Sequence, residues 1–285
     1  MSFKSQNTLI ESQPPMLLSP PLKCMVTWLA ACCLTTLSTS ALAGSGDDYI
    51  NPDRPGIADG STTVGRGRFQ LETAFQREFR NGGDDRTTFI PTLLRYGLSE
   101  KLEVRVEGNG YTWEKQIDPA QGTTYSRGFA PTSIGLKYNF VDAEGSKTPS
   151  VGAIVRVFPP SGTGEFRNTR TTGDFRLAAD WEFADKWSLN PNVGVGVFQD
   201  SASRTYTAGL FAATLDFNPS KVVNFFVDTG VQTPEEKNGK TSIIVDAGAA
   251  FIIGHDIQLD LSVGTGVAGS TPPHPFVAAG FSKRF

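Results

Sequence analysis

Apolar and polar residues alternate one by one in most segments between residue 69 and the carboxyl terminus. In "KLEVRVEG", for example, Leu102, Val104 and Val106 fall on one side, and charged residues fall on the other. A period of two indicates extended strands with one apolar and one polar face, and helical spacing is not sustained after residue 43. Counting the segments gives about twelve strands of roughly ten or more residues, which is long enough to cross a bilayer when tilted. The sequence therefore predicts an all-β fold.

The connections alternate between short turns, as at residues 98–101 and 184–186, and longer polar loops, as at residues 114–128 and 159–173. An even number of strands with short turns at one end and long loops at the other is typical of a transmembrane antiparallel β-barrel. A soluble β-sandwich shows the same alternation with its apolar face packed inward. Aromatic residues near strand ends favour the barrel, because they suit the two interfaces of a membrane. We therefore predict a barrel of about 12 strands that contacts the lipid of a bacterial outer membrane.

The composition argues against a nucleic-acid partner, because the formal net charge is −3 and basic residues are not in excess. The two histidines, His255 and His274, fall at opposite ends of the predicted barrel and have no serine or cysteine nucleophile nearby. Two carboxylates, Asp180 and Glu182, share a strand face with Arg176 and are interpreted as part of a salt-bridge network in the lumen. The sequence predicts neither an enzyme nor a metal site, and no cofactor is expected.

The first 43 residues have the anatomy of a secretory signal peptide. A lysine precedes an apolar run over residues 24–37, and small residues follow up to Ala43, where cleavage is expected. Translation from Met16 or Met25 and a lipoprotein signal ending at Cys32 are open alternatives. All three cysteines precede the predicted cleavage site, so the mature chain is expected to fold without disulfides. The predicted organisation is a signal peptide at 1–43, a periplasmic Pro/Gly-rich leader at 44–64 and an outer-membrane β-barrel at 65–285.

The polar faces of the strands are predicted to line the barrel lumen. Three phenylalanines share this inward side with charged residues, which indicates an apolar path beside charged walls; local register breaks at bulges are the alternative explanation. The acidic strip of Asp228, Asp246 and Asp260 is expected to pair with Arg156 or Arg176 across the lumen and to disfavour anions. The residues predicted to line the lumen or the substrate path are Glu107, Arg156, Phe158, Arg176, Asp180, Phe198, Phe226, Asp228, Asp246 and Asp260.

The last strand, "PFVAAGFSKRF", ends on Phe285 and carries Phe281 at the same parity. It resembles the carboxy-terminal signature by which the barrel-assembly machinery recognises outer-membrane barrels, although Lys283 stands where an apolar residue is usual. The resemblance implies that this machinery is a partner of the chain.

The stretch "DRPGIADGSTTVGRGRFQLE", residues 53–72, resembles the amino-terminal signature of the outer-membrane family associated with the MetA pathway of phenol degradation. The D-R-P of Asp53, Arg54 and Pro55, the T-V followed by G-R-G-R, and the F-Q-L-E all match in place. The resemblance implies a small barrel that moves hydrophobic substrates. We expect the leader to lie on the periplasmic side, with Asp53 and Arg54 able to pair with groups at the barrel mouth. A stiff connector with solvated charges is the alternative.

The pattern and the resemblance together predict a passive outer-membrane channel for small, largely hydrophobic molecules, aromatic compounds among them. A barrel of eight strands is filled by its own side chains and one of sixteen opens an aqueous channel, so about twelve strands allow either state. The alternative is a closed structural barrel without transport activity.

Overall fold

The computed structural model describes residues 48–120, 122–143, 147–200, 202–269 and 274–285. The predicted signal peptide lies outside these residues, so its cleavage site stays a prediction. Among the described residues, no helix has both the length and the apolar character needed to span a membrane. Helical geometry in this part of the chain is limited to two 3-10 turns, at Asn81–Gly83 and Gly164–Phe166.

Within the described residues, fifteen antiparallel strands form one sheet. They are β1 (Phe69–Arg80), β2 (Asp85–Phe89), β3 (Thr92–Gly97), β4 (Leu102–Gly108), β5 (Tyr111–Asp118), β6 (Gly122–Phe129), β7 (Thr132–Val141), β8 (Ser150–Phe158), β9 (Thr172–Ala184), β10 (Trp187–Gln199), β11 (Thr205–Ser220), β12 (Val223–Thr233), β13 (Ser242–Ile253), β14 (Ile257–Ala268) and β15 (His274–Arg284).

Three of the barrel strands are each broken into two shorter pieces. The breaks fall at Pro91 between β2 and β3, at Gly110 between β4 and β5, and at Pro131 between β6 and β7. Proline has no N–H to donate to the ladder, and Gly110 has a φ of 58°, which a continuous strand does not accept. The breaks lie side by side because β4 pairs with both β3 and β7. The fifteen strands therefore act as twelve barrel strands.

The barrel closes where the first and last strands meet. β1 pairs with β15 from Gln70 opposite Arg284 to Glu78 opposite Phe276. At the end of this seam, the N–H of Phe285 donates to the carbonyl oxygen of Phe69 at 2.8 Å. The predicted fold, a closed antiparallel β-barrel of twelve strands, is confirmed.

The two faces of the strands are distributed as in a membrane barrel. In β7, Ile134 and Leu136 are 57% and 49% exposed on the outside, whereas Ser133 and Lys137 are fully buried on the inside. A soluble sandwich would reverse this arrangement and pack its apolar face inward. The apolar outer surface therefore faces lipid.

Aromatic side chains form a band around the outside of the barrel at the end that carries the short turns. Trp187 and Phe217 pack together there, with ring centroids 4.9 Å apart. Such a band suits the interface between membrane and water. The large exposed aromatic residues at this end include Phe69, Tyr96, Tyr138, Phe140, Trp181, Phe183, Trp187, Phe251 and Phe285.

The prediction of a long loop at residues 114–128 is wrong in part. Most of it belongs to the antiparallel pair β5 and β6, which runs from Tyr111 opposite Phe129 to Asp118 opposite Gly122. This hairpin continues the barrel wall beyond the three breaks, and one of its faces carries Tyr111, Trp113, Tyr125 and Phe129. Lys115 and Arg127 lie on the same face and interrupt the apolar surface that marks the membrane strands. The segment at residues 159–171 contains no strand, as predicted, and includes the 3-10 turn at Gly164–Phe166.

Candidate functional site

The leader that precedes β1 lies inside the barrel. Its described residues donate hydrogen bonds to, accept them from, or form ion pairs with inward-facing side chains of β1, β3, β4, β7, β9, β10, β12 and β14. Ile50, Ala58 and Val64 are buried among these contacts. The sequence led us to expect a leader on the periplasmic side, ahead of the first strand. The structure instead places residues 50–64 within the half of the lumen that adjoins the short turns.

Asp53 is the centre of the leader's contacts with one wall. Its carboxylate receives Arg105 Nη1 at 2.7 Å, and Lys137 Nζ lies 2.9 Å from both of its oxygens. Arg95 Nη1 stands 3.6 Å away. Burial opposes the charge of Asp53, but the positive charges of Arg95, Lys137 and Arg105 outweigh burial and hold its pKa well below the ordinary value. Asp53 is therefore an anion held by three cations of the wall.

Arg95 of β3 links the neighbouring strands β1 and β4 to each other and to the leader. Its guanidinium donates to Glu72 Oε1 at 2.9 Å and to Glu103 Oε1 at 2.8 Å, and both carboxylates are fully buried. It further donates to the backbone carbonyl oxygen of Thr62 in the leader at 3.1 Å. A charge buried to this degree needs such partners, because isolated burial would be very costly.

A second leader carboxylate, Asp59, reaches deeper along the same wall. It accepts from Arg105 Nη2 at 2.9 Å and from Arg176 Nη1 at 3.2 Å. Its backbone N–H donates to Asn192 Oδ1 at 2.8 Å, and Asn192 Nδ2 donates back to its carbonyl oxygen at 2.9 Å. Two residues later, the N–H and hydroxyl of Ser61 both donate to Asp180 Oδ2, at 2.7 and 2.6 Å.

The opposite wall carries the acidic strip, Asp228, Asp246 and Asp260. Arg54 Nη2 donates to Asp260 Oδ1 at 3.0 Å, and the backbone N–H of Ile57 donates to Asp228 Oδ2 at 2.7 Å. Asp246 stands directly opposite Asp228 in the register of β12 and β13. The lumen is therefore bipolar, and the neighbouring leader residues Asp53 and Arg54 each turn toward the wall of opposite charge.

The expected pairing of the acidic strip with Arg156 and Arg176 is wrong. Arg156 instead forms ion pairs with Asp174 and Glu107, and Arg176 pairs with Asp59 and Asp174. Asp174 stands opposite Arg156 on the adjoining strand, so the pairing is local rather than across the lumen. The leader supplies a counter-charge to Asp260 through Arg54 and to Arg176 through Asp59.

A cavity of about 830 Å³, here named the outer vestibule, lies on the loop side of the leader. Arg54 of the leader lines it, and Phe158, Phe166 and Phe198 contribute aromatic surface. The guanidinium of Arg156 lies 5.7 Å from the ring centroid of Phe158. Further residues that line the outer vestibule are Glu107, Arg156, Asp174, Arg176, Tyr206, Leu210 and Gln232.

A second cavity, of about 180 Å³, is here named the inner hollow and lies in the wall formed by β10 to β13. Ile57 of the leader, Leu210, Ala212, Gly230 and Ile244 provide its apolar lining. Three residues line both cavities, so the inner hollow adjoins the outer vestibule. These residues are Arg176, Leu210 and Gln232.

The predicted lumen residues fall into separate groups in the structure. Five of them line the outer vestibule, and Asp180, Asp228 and Asp260 hold the leader. Phe226 is buried away from the vestibule and packs over Gly248. The five residues of the vestibule are Glu107, Arg156, Phe158, Arg176 and Phe198.

The other predicted site residues lie at the two ends of the described chain. Inside the lumen, Asp53 pairs with Arg105 and Lys137, and Arg54 pairs with Asp260. Pro55 follows them in the leader. Phe281, opposite Thr73, and Phe285 lie on the closing seam. What sequence reasoning missed is the leader's role in the lumen and the inner hollow. The sequence did contain a clue to the leader's position. Lys137 and Arg105 face inward on neighbouring strands, and buried cations require anions nearby.

The fold and its apolar exterior define a β-barrel of the bacterial outer membrane. An outer membrane channel from Pseudomonas putida F1 has the same fold, with a TM-score of 0.61 and 13% identity over 83% of this chain and 100% of that chain. The KdgM porin matches with a TM-score of 0.49 and 11% identity over 75% of this chain and 99% of that chain. The CymD monoaromatic hydrocarbon channel matches with a TM-score of 0.44 and 10% identity over 77% of this chain and 89% of that chain.

The chain belongs to the family described as "Putative MetA-pathway of phenol degradation", whose sequence pattern matches residues 52–285. The match begins within the leader and so includes the Asp53 and Arg54 contacts. No curated protein matches the chain.

Proposed function

We propose that the protein is a passive channel for small, largely hydrophobic molecules, single-ring aromatic compounds among them, and that the leader closes it at rest. The observation that carries this proposal is the outer vestibule, an aromatic-lined cavity of about 830 Å³ with a leader residue in its lining. The family's association with phenol degradation agrees with this substrate class.

The charges in the vestibule do not make it a general aqueous pore. Arg156 and Arg176 are each paired with carboxylates of the wall or the leader, so their charges are largely neutralised. Phe158 and Phe198 offer apolar surface between them. A neutral molecule with an apolar ring therefore gains from leaving water, whereas an ion must compete with partners already in place.

The free energy gained when a ring binds in the vestibule is small enough for rapid release. Burying about 150 Å² of ring surface at about 25 cal/mol per Å² stabilises the bound state by about 4 kcal/mol. That corresponds to a dissociation constant of about 1 mM, before the entropy lost on association is subtracted. Binding of this strength is quickly reversible, as a passive channel requires.

The alternative is a closed structural barrel without transport activity. It is favoured by the buried ion pairs that hold the leader to both walls of the lumen. Breaking such a pair by moving one partner away is costly. In either case the apolar exterior contacts membrane lipid, and we propose that the last strand, with Phe281 and Phe285, engages the barrel-assembly machinery.

The test is uptake of radiolabelled toluene into asymmetric vesicles whose outer leaflet is lipopolysaccharide, with ion conductance measured in parallel in planar bilayers. Phe158→Ala combined with Phe198→Ala is compared with Phe175→Ala combined with Phe225→Ala, two phenylalanines on the lipid face that line neither cavity. We expect several-fold slower uptake in the first variant only. Conductance without toluene uptake would indicate a general porin, and passage of neither would support the structural alternative.

A further inference from the structure

We infer that the inner hollow is a binding subsite for one neutral aromatic ring, and that Ile57 of the leader sets the size of the ring it accepts. This inference rests on the proposed function and deepens it, because it assigns a place and a size limit to the transported molecule.

The volume of the inner hollow matches a single ring. Its free space is about 180 Å³ with the leader in place. Apolar protein cavities of about 150 Å³ stay dry and bind benzene. A two-ring molecule is too large for this space unless a lining side chain moves.

The lining is apolar where a ring would pack. Leu210 and Ile244 supply branched side chains, and Ala212 and Gly230 keep the wall between them shallow. A Cβ at position 230 would lie 2.8 Å from Cγ2 of Ile57, so glycine is required for the leader to approach this closely. The hollow is thus a recess of the wall that faces an apolar side chain of the leader.

Three polar side chains at the rim have partners, which favours a neutral ligand, and the buried Nε of Arg176 is the one nitrogen of that guanidinium without an identified acceptor. Arg176 is paired with Asp59, and Asn192 exchanges two hydrogen bonds with the backbone of Asp59. Gln232 Nε2 donates to the hydroxyl of Tyr206 at 2.9 Å. A charged molecule would have to displace these partners, whereas a ring without charge leaves them intact.

The hollow adjoins the outer vestibule, and Ile57 of the leader forms part of its lining. Arg176, Leu210 and Gln232 line both cavities. Ile57 is fixed by its backbone N–H, which donates to Asp228 at 2.7 Å. A ring in the hollow therefore contacts the segment that closes the lumen, and shortening Ile57 enlarges the hollow without removing that hydrogen bond.

The first experiment locates the ligand. Crystals of the full mature protein are soaked in bromobenzene, and the bromine is found by anomalous scattering. We expect a peak between Ile57, Leu210 and Ile244 that is lost in Ile244→Phe, which fills the hollow. The matched control is Ile243→Phe, the same change at the next position, whose side chain does not line the hollow. Bromine only in the outer vestibule, or nowhere, would overturn the inference.

The second experiment tests the size limit and separates the inference from the proposed function. Toluene and naphthalene uptake are compared in the wild type, Ile57→Ala, Ile244→Phe and Ile243→Phe. We expect Ile57→Ala to raise the naphthalene-to-toluene ratio several-fold, and Ile244→Phe to slow toluene uptake relative to Ile243→Phe. Absence of toluene uptake in the wild type contradicts the proposed function. Wild-type uptake with equal ratios in all four proteins contradicts the inference alone.

Discussion

The ammonium group of Lys137 lies 2.9 Å from both carboxylate oxygens of Asp53 and joins the leader to β7 inside the barrel. Both side chains are almost completely removed from solvent. The only other acceptor of Lys137 among the hydrogen bonds of the described residues is the carbonyl oxygen of Thr62, at 3.3 Å. The attachment of the leader to β7 therefore depends directly on this pair.

Replacing Asp53 by Asn should loosen the leader, because Lys137 would keep its charge without its counter-ion. Removing one partner of a buried pair costs about 3–5 kcal/mol, and each 1.4 kcal/mol is about tenfold in an equilibrium. Hydrogen exchange of the Ile57 and Ser61 amides, both bonded to wall carboxylates, should therefore quicken by about a hundredfold or more.

A double-mutant cycle checks that the effect comes from this pair. Lys137→Met in the Asp53→Asn protein removes the orphaned charge and should restore much of the lost protection. Asp48→Asn, a leader carboxylate that pairs with Arg68 and Arg284 nearer the solvent, serves as the control and should change these amides little. Strictly additive effects of the Asp53 and Lys137 substitutions would contradict direct coupling.

The leader should keep its contacts with the lumen wall in mildly acid conditions. The pKa of Asp53 is lowered from its ordinary 3.8, because three cations outweigh the opposing effect of burial. A lowered folded-state pKa gives stability that is present above the ordinary value and is lost only as pH falls through the lower one. The Gly60 amide donates to Asp53 Oδ1 at 3.0 Å, so its exchange rate reports on the state of the Asp53 carboxylate. Its exchange protection, corrected for intrinsic rates, should be constant from about pH 7 to about pH 4; loss within that range would refute the account.

The two carboxyl groups of the acidic strip that face each other should respond oppositely to amide substitution. Asp246 is buried opposite Asp228, so Asp246→Asn removes one carboxyl and can donate an N–H to the other. Asp228→Asn instead weakens the acceptor of the Ile57 N–H, and hydrogen bonds to charged groups contribute about 1.5–3 kcal/mol. We expect the temperature of the unfolding gel shift to be unchanged or higher in Asp246→Asn and lower in Asp228→Asn. The reverse order would be inconsistent with the structure.

The strand pattern predicted the fold well, because a bilayer imposes the same alternation on every strand that crosses it. Ile134 and Lys137 show the rule within four residues, one half-exposed to lipid and one fully buried in the lumen. The hairpin of β5 and β6 escaped prediction because Lys115 and Arg127 interrupt its aromatic face, which weakens the alternation of apolar and polar residues there. The expected bias against anions has not been tested and stays a prediction.

The leader could not be placed from its own sequence, because a segment rich in proline, glycine and charge reads as a solvated connector. The information lay in the wall. Arg105 and Lys137 were inward by parity, and buried cations require anions that the strands beside them supply only in part. Asp53 and Asp59 complete those pairs, yet their distance from Lys137 along the sequence hid the relation.

The most direct test of a lumen closed by the leader is to tether the leader to the wall. A Cβ at Gly56 would lie 3.0 Å from Oγ1 of Thr214, which is about the separation between a Cβ and the far sulfur in a disulfide. Gly56→Cys with Thr214→Cys should therefore cross-link on oxidation, with each single variant as a control. The account predicts that the oxidised double variant passes no toluene and that a reductant restores toluene passage to the level of the single variants. Equal passage by the oxidised and reduced forms would contradict it.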